Sequence, residues 1–193
     1  PNINIVGECW TRPTPAVAYW QSGVKNHNGF DSHLPSVMDF PLEEAIRQAL
    51  ESDNQGWGGG LTRVYDVLTM DYMYADVNDI LIMLGNHDMD RIADVVQDQD
   101  PRRVKLAYTL LATMRGIPQV FYGDEYAMKS ADRNLGHSTL RMPLPLGEQV
   151  TDEMQDMYDY QSRLFQWRKS EEVIHTGRTM HFMSRDNTYA FFR

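Results

Sequence analysis

A single cysteine, Cys9, occurs in 193 residues, so no internal disulfide framework holds the chain together and its redox compartment is left open. Basic residues are also scarce, with 18 Lys and Arg against 27 Asp and Glu and a net charge of −9. No Lys/Arg cluster offsets that charge, which argues against a nucleic-acid surface. No apolar run approaches the ~20 residues needed to span a bilayer, so no membrane partner is expected. No signal peptide is visible, and the chain opens on Pro1 rather than Met. It reads as a piece of something longer. The hydrophobic content of 42% is ample for a packed core of about one domain.

Against these absences stands Asp79-Ile-Leu-Ile-Met-Leu-Gly-Asn-His-Asp88, an apolar run of strand length that ends in glycine, amide, imidazole and carboxylate. The unbroken run Ile80–Leu84 predicts a strand buried on both faces, as in a parallel sheet. Polar residues emerging where such a strand stops lie where α/β folds put their chemistry. Ile3-Asn-Ile-Val-Gly7 leading into Glu8 has the same design. Ser36–Phe40 and Gln119–Tyr122 complete four expected strands. Between them run three helical stripes: Leu42, Ala45, Ile46, Ala49 and Leu50; Leu61, Val64, Tyr65 and Leu68; Val104, Ala107, Tyr108 and Leu111. Pro101 suits the start of the last of these, and Arg115-Gly-Ile-Pro118 reads as its stop, with a basic last turn and a capping glycine.

Strands alternating with helices predict parallel βαβ units, and four such units are half of an eight-fold barrel. After Pro145 the pattern changes. Asp152–Lys169 reads as an outer helix with Met154, Met157, Tyr158, Gln161, Leu164 and Phe165 near one face, and Trp57 and Trp167 read as packing residues. Thr179–Ser184 and Thr188–Arg193 form an expected hairpin around Arg185-Asp-Asn187. The fold class expected is therefore α/β, with a partial (β/α)8 barrel over residues 1–170 and the first strands of a β-domain over 171–193.

Gly85-Asn-His-Asp88 has two chemical readings. Metallophosphoesterases use such a turn beside a two-metal centre, but that centre needs further acid and histidine ligands. Asp31-Ser-His33 follows a loop rather than a strand, Gly123-Asp-Glu125 lies downstream of the turn, and the six histidines are scattered. The alternative accounts for more of the chain. Val6-Gly-Glu8-Cys-Trp10, Met38-Asp-Phe-Pro-Leu42, Leu84-Gly-Asn-His-Asp88 followed by Arg91, and Gly116-Ile-Pro-Gln-Val-Phe-Tyr-Gly-Asp-Glu125 resemble, in order, the strand-five to strand-eight motifs of the α-amylase family of glycoside hydrolases. The Glu-Cys-Trp motif and the long loop after it look nearest to neopullulanase or cyclomaltodextrinase relatives.

The resemblance implies the C-terminal half of a TIM barrel and a retaining mechanism on α-glucans. Glu8 is implied as general acid and then general base, and Asp88 as the carboxylate that holds the ring's hydroxyls as it distorts. His87 would donate to the same sugar, Trp10 would stack on the leaving-group ring, and Arg91 would contact a distal sugar or pair with Asp88 or Asp94. Asn86 is expected to shape the turn, and Asp124 and Glu125 to tie the strand-eight end to a basic neighbour. Retention also needs a nucleophile about 5 Å from the acid, carried in this family by a Gly-x-Arg-x-Asp motif. These 193 residues hold no such motif, so the chain alone is expected to be inactive. No cofactor is implied, and no calcium ligand is assignable. A non-catalytic carbohydrate-binding or partner-subunit role is the rival expectation. Half a barrel would leave open sheet edges, through which self-association is expected.

Overall fold

The computed structural model describes residues 3–52 and 58–193; the packing role expected of Trp57 lies outside them. In chain order the elements are β1 (Val6–Gly7), α1 (Thr14–Ala18), β2 (Ser36–Val37), α2 (Phe40–Glu51), α3 (Thr62–Leu68), β3 (Leu81–Met83), α4 (Ile92–Val95), α5 (Pro101–Thr113), β4 (Ile117–Gln119), α6 (Asp152–Ser170), α7 (Glu172–Thr176), β5 (Met180–His181) and β6 (Phe191–Phe192). The first four strands run parallel. Gly7 lies opposite Val37, a single bridge joins Met38 to Leu81, and Leu81–Met83 lies opposite Ile117–Gln119. The order is thus β1-β2-β3-β4, each strand beside its successor with helices between.

The strands are shorter than the apolar runs suggest. Among the described residues β1 and β4 each have a neighbour on one side only, so pairing does not extend through Ile3, Ile5 or Val120, which stay exposed. The last strand also lies earlier than Gln119–Tyr122, because Pro118 is part of it. Successive N–H groups of a parallel strand alternate between its two neighbours. Ile117 N donates to Ile80 O at 2.7 Å, so the donor that Pro118 lacks falls on the unpaired side, where its absence costs nothing.

The helices follow the apolar stripes. Asp39 caps α2, its Oδ1 accepting from Leu42 N at 3.1 Å, and Asp100 does the same for α5 through Arg102 N at 2.8 Å. The stripes of α2, α3 and α5 form one core with Ile82 and Leu84, except for Tyr65, which is only half-buried and lies outside it. Ile82 and Met83 are both fully buried, the burial on two faces that their composition predicts. On α6 the buried side chains are Met157, Gln161 and Arg168, whereas Tyr158 and Trp167 are 42% exposed. Trp167 is therefore only partly a packing residue.

The hairpin of β5 and β6 turns on Asp186 and Asn187 with φ of 50° and 54°, the two left-handed residues of a type I′ turn. Tyr189 and Phe191 pack on the main core, and the ring of His181 lies 4.9 Å from that of Tyr65 on α3.

Arg115 departs from the role its position suggests. Helix α5 ends at Thr113 with Met114 extended, so Arg115 is no last-turn cation. Gly116 then takes φ +94°, and a Cβ there would meet Ile80 O at 2.7 Å. This turn sends the Arg115 guanidinium inward, 1% exposed, onto Asp39 at 2.6 Å and Asp71. Burial opposes its charge, but the two carboxylates more than compensate and hold its pKa above the ordinary value. Carbonyls at the end of α5 and just past it go to a second buried arginine. Arg168 donates to Ala112 O and Met114 O at 2.8 Å and to Gly116 O at 2.5 Å. Replacing Arg115 by Met strands the carboxylate of the fully buried Asp39. The expected loss is about 3–5 kcal/mol, read as a lower urea midpoint at unchanged m-value; an unchanged midpoint would show that the pair carries no net stability.

Candidate functional site

The parallel pairing of β1, β2 and β3 sends the residues that follow β1 and β3 out at the same end of the sheet. Glu8 leaves β1 exposed, and among the described residues it makes no hydrogen bond or ion pair. It lines a recess of about 210 Å³ with Gly7, Cys9, Trp20 and Leu34. Two residues on, Trp10 is 55% exposed and stacks on Phe40, with ring centroids 5.3 Å apart and planes 10° from parallel.

After β3 the chain turns sharply. Asn86 Oδ1 accepts from Asp88 N at 2.8 Å, so this residue shapes the turn, as its type predicts. The turn presents the Asp88 carboxylate to three basic groups. Arg141 Nη2 lies 2.9 Å and His137 Nδ1 3.4 Å from Oδ1, and His87 Nε2 3.2 Å from Oδ2. His87 itself is exposed. Asp88 and Trp10 are walls of one cavity of about 250 Å³, which Arg12, Phe40, Glu43 and Arg47 also line. Glu8 and Asp88 thus share an end of the sheet but border neighbouring recesses.

Arg91 does not reach this rim. It is 1% exposed, pairs with Asp124 at 2.7 Å, and donates to Tyr122 O at 2.9 Å and Leu140 O at 2.7 Å. Its guanidinium lies 4.6 Å from the Phe121 ring centroid, and Tyr108 Oη donates to Asp124 at 3.0 Å. The expectation that Arg91 contacts sugar, or pairs with Asp88 or Asp94, is corrected here. Its two terminal nitrogens are taken up by the end of β4 and the chain beyond it, making it the basic neighbour expected there, though it pairs with Asp124 and not with Glu125. Gly123, at φ +86°, leaves room for the clamp, because a Cβ there would lie 3.4 Å from Arg91 Nη1 and run into Met128 Sδ.

Three further groups at the site escaped sequence reasoning. His137 and Arg141 approach Asp88 from about fifty residues away, and no spacing links them to it. Glu43 is different, because a signal existed. On the α2 wheel it falls within about 20° of Leu50, on the edge of the apolar stripe. Its side chain is 2% exposed, and the nearest cation, Arg47 Nε, lies 3.9 Å from Oε1, beyond hydrogen-bond range. Arg47 is occupied elsewhere, with Glu44 at 3.0 Å and Glu51 at 3.3 Å. Burial therefore lifts the Glu43 carboxyl from its ordinary 4.5 to about 8, with Arg47 opposing and Glu44 reinforcing. Among the described residues no group of three His, Cys, Asp or Glu side chains is placed to hold a metal ion.

Residues 1–190 match the family model for the alpha-amylase catalytic domain, and the chain belongs to that family. This assigns the Gly-Asn-His-Asp turn to an amylase barrel rather than to a metallophosphoesterase. The chain is 33% identical over 103 residues to the cyclomaltodextrin glucanotransferase of Geobacillus stearothermophilus, covering 53% of this chain and 14% of that protein. It is 29% identical over 158 residues to the alpha-amylase of Niallia circulans, covering 82% of this chain and 28% of that one. Among solved structures it resembles the alpha-amylase of Geobacillus thermoleovorans complexed with acarbose, with a TM-score of 0.72 and 22% identity over 97% of this chain and 38% of that one. It also resembles AmyP complexed with maltose, with a TM-score of 0.75 and 18% identity over 97% and 42%. These likenesses show an α/β amylase fold. The chain spans less than half the length of each of these relatives.

The raised Glu43 pKa has a definite sign. The folded state keeps a proton that the unfolded state has lost, so this group's stabilisation is complete below pH 4.5 and fades as pH rises through about 8. Urea titrations of the Glu43→Gln variant are expected to lack this part of the pH slope. Identical slopes in variant and parent would show that Glu43 is ionised at neutral pH.

Proposed function

We propose that this chain is the second half, strands five to eight, of the catalytic barrel of a retaining enzyme that cleaves or transfers α-glucosyl units. In this reading residues 1–170 belong to the barrel and 171–193 open a following β-domain. The observation that carries the reading is the convergence of Trp10 and Asp88 on one cavity, with Glu8 leaving the same end of the sheet. Cleavage of a glycosidic bond needs a proton for the leaving oxygen and negative charge beside an oxocarbenium-like centre. Glu8 carries the proton. Being free of protein partners, it can reach a glycosidic oxygen without breaking a bond of its own. The same carboxylate then takes a proton from the incoming water or sugar hydroxyl. Asp88 receives the ring's hydroxyls, and His87 donates beside it. The aromatic face of Trp10, already backed by Phe40, supports the leaving-group ring.

The relatives include both a glucanotransferase and an amylase by name, so the acceptor in this reading is either water or a sugar. With no Gly-x-Arg-x-Asp in these 193 residues, the oriented nucleophile belongs to another part of the enzyme, and the purified chain binds α-glucan without turning it over. The exposed Ile3 and Ile5 beside β1, and Ile117, Val120 and Tyr122 along β4, are proposed to promote self-association through the sheet edges.

Calorimetry with maltotriose is expected to show binding that Asp88→Asn weakens about tenfold, a change of about 1.4 kcal/mol. Release of reducing sugar from maltooligosaccharides by the purified chain would overturn the assignment of the nucleophile to a missing segment. Absence of any maltotriose binding would count against the glycosidase reading itself.

A further inference from the structure

The acids that wall the cavity differ in one respect. Asp88 is held by Arg141 at 2.9 Å and Asp90 by Arg133 at 2.7 Å. Glu44 is held by Arg47 at 3.0 Å, with Arg12 at 3.6 Å and Gln48 also bonded to it. Glu43 alone among these four has a buried oxygen, Oε1, with no hydrogen-bond partner. Native structures leave few buried polar atoms unpaired, and those that remain call for an explanation.

We propose that Glu43 hydrogen-bonds a hydroxyl of a glucosyl unit seated in this cavity on the leaving-group side of Asp88, making it a sugar-binding residue of the acceptor subsite. The inference rests on the glycosidase reading and adds to it a specific contact. The cavity's chemistry selects the occupant. The guanidinium groups of Arg12 and Arg47 line it and oppose a metal cation, while Glu43, Glu44, Asp88 and Asp90 oppose an anion. A neutral polyol with one apolar face suits both halves of the lining, because Trp10 and Phe40 offer a stacked aromatic wall. A volume of about 250 Å³ is just below the ~300–1,000 Å³ of drug-sized ligand clefts, which fits one ring rather than a chain. A protonated carboxyl both donates and accepts, as a sugar hydroxyl requires. Burial keeps Glu43 in that form up to about pH 8.

The test is maltose binding to the full 193-residue chain by calorimetry, with circular dichroism confirming the fold of each variant. Glu43→Leu is expected to weaken binding at least tenfold, whereas Glu43→Gln, which keeps a donor and an acceptor, stays within twofold of the parent. Above pH 8 the parent is expected to lose affinity and Glu43→Gln to keep it. The other charged groups facing Glu43, namely Arg12, Arg47, Glu44, Asp88 and Asp90, are common to both proteins, so the difference isolates the carboxyl. Undiminished binding by Glu43→Leu, with loss on Trp10→Ala, would overturn the role of Glu43 and leave the glycosidase reading intact. Parallel pH profiles for parent and Glu43→Gln would also overturn it. Failure of the parent chain to bind maltose at any pH would overturn both.

Discussion

The buried guanidinium of Arg115 sets the arrangement on which the rest of the structure depends. Strands of two or three residues make few ladder hydrogen bonds, and β2 meets β3 through a single bridge. That leaves the stagger of the sheet weakly specified by the backbone alone. Arg115 lies just before β4 and Asp39 just after β2, so their 2.6 Å contact spans β3. Asp71, on the approach to β3, accepts from the same guanidinium. Asp39 caps α2 with its other oxygen, so one cluster fixes strand stagger and helix entry together. The tight geometry matters because a buried pair gains little over apolar packing but loses much when one partner is removed.

Two more buried arginines repeat the device at other points. Arg168 collects three carbonyls where α5 gives way to β4, which anchors α6 to that junction. Arg91 ties the turn after β3 to the chain after β4 through Asp124 and two carbonyls. The planar, permanently charged guanidinium suits such junctions because its donors can satisfy several acceptors at once. Arg91 therefore holds still the turn that presents Asp88. The site combines this rigid turn with an uncommitted Glu8 and a cavity-lining Glu43 whose Oε1 has no hydrogen-bond partner. Groups already bonded are positioned, and groups left unbonded are available.

Much of the fold was legible in the sequence. The stripe Leu42, Ala45, Ile46, Ala49, Leu50 became α2, the run Ile80–Leu84 holds the three-residue β3 with Ile82 and Met83 buried on its two faces, and Asp186-Asn187 became a type I′ turn. Each depends on local periodicity or on the steric preferences of one or two residues, which a sequence states directly. Strand ends were less legible, as β4 showed, because they depend on which neighbours are present to pair. Glu8, His87, Asp88 and Trp10 were marked by ordered motifs, but the fates of Arg91 and Arg115 were not. Whether an arginine turns inward depends on where distant carboxylates and carbonyls arrive.

The sequence by itself determined the alternation of strands and helices, the parallel class of the sheet and the family. All three follow from residue types at fixed short spacings. Only the tertiary structure decided that Arg141 and His137 close on Asp88, that Arg91 is a clamp, and that Glu43 is buried with an oxygen left without a hydrogen bond. These are outcomes of competition among charged groups tens of residues apart. Such a competition is settled by distance and desolvation after the chain has folded, and no local pattern encodes the result.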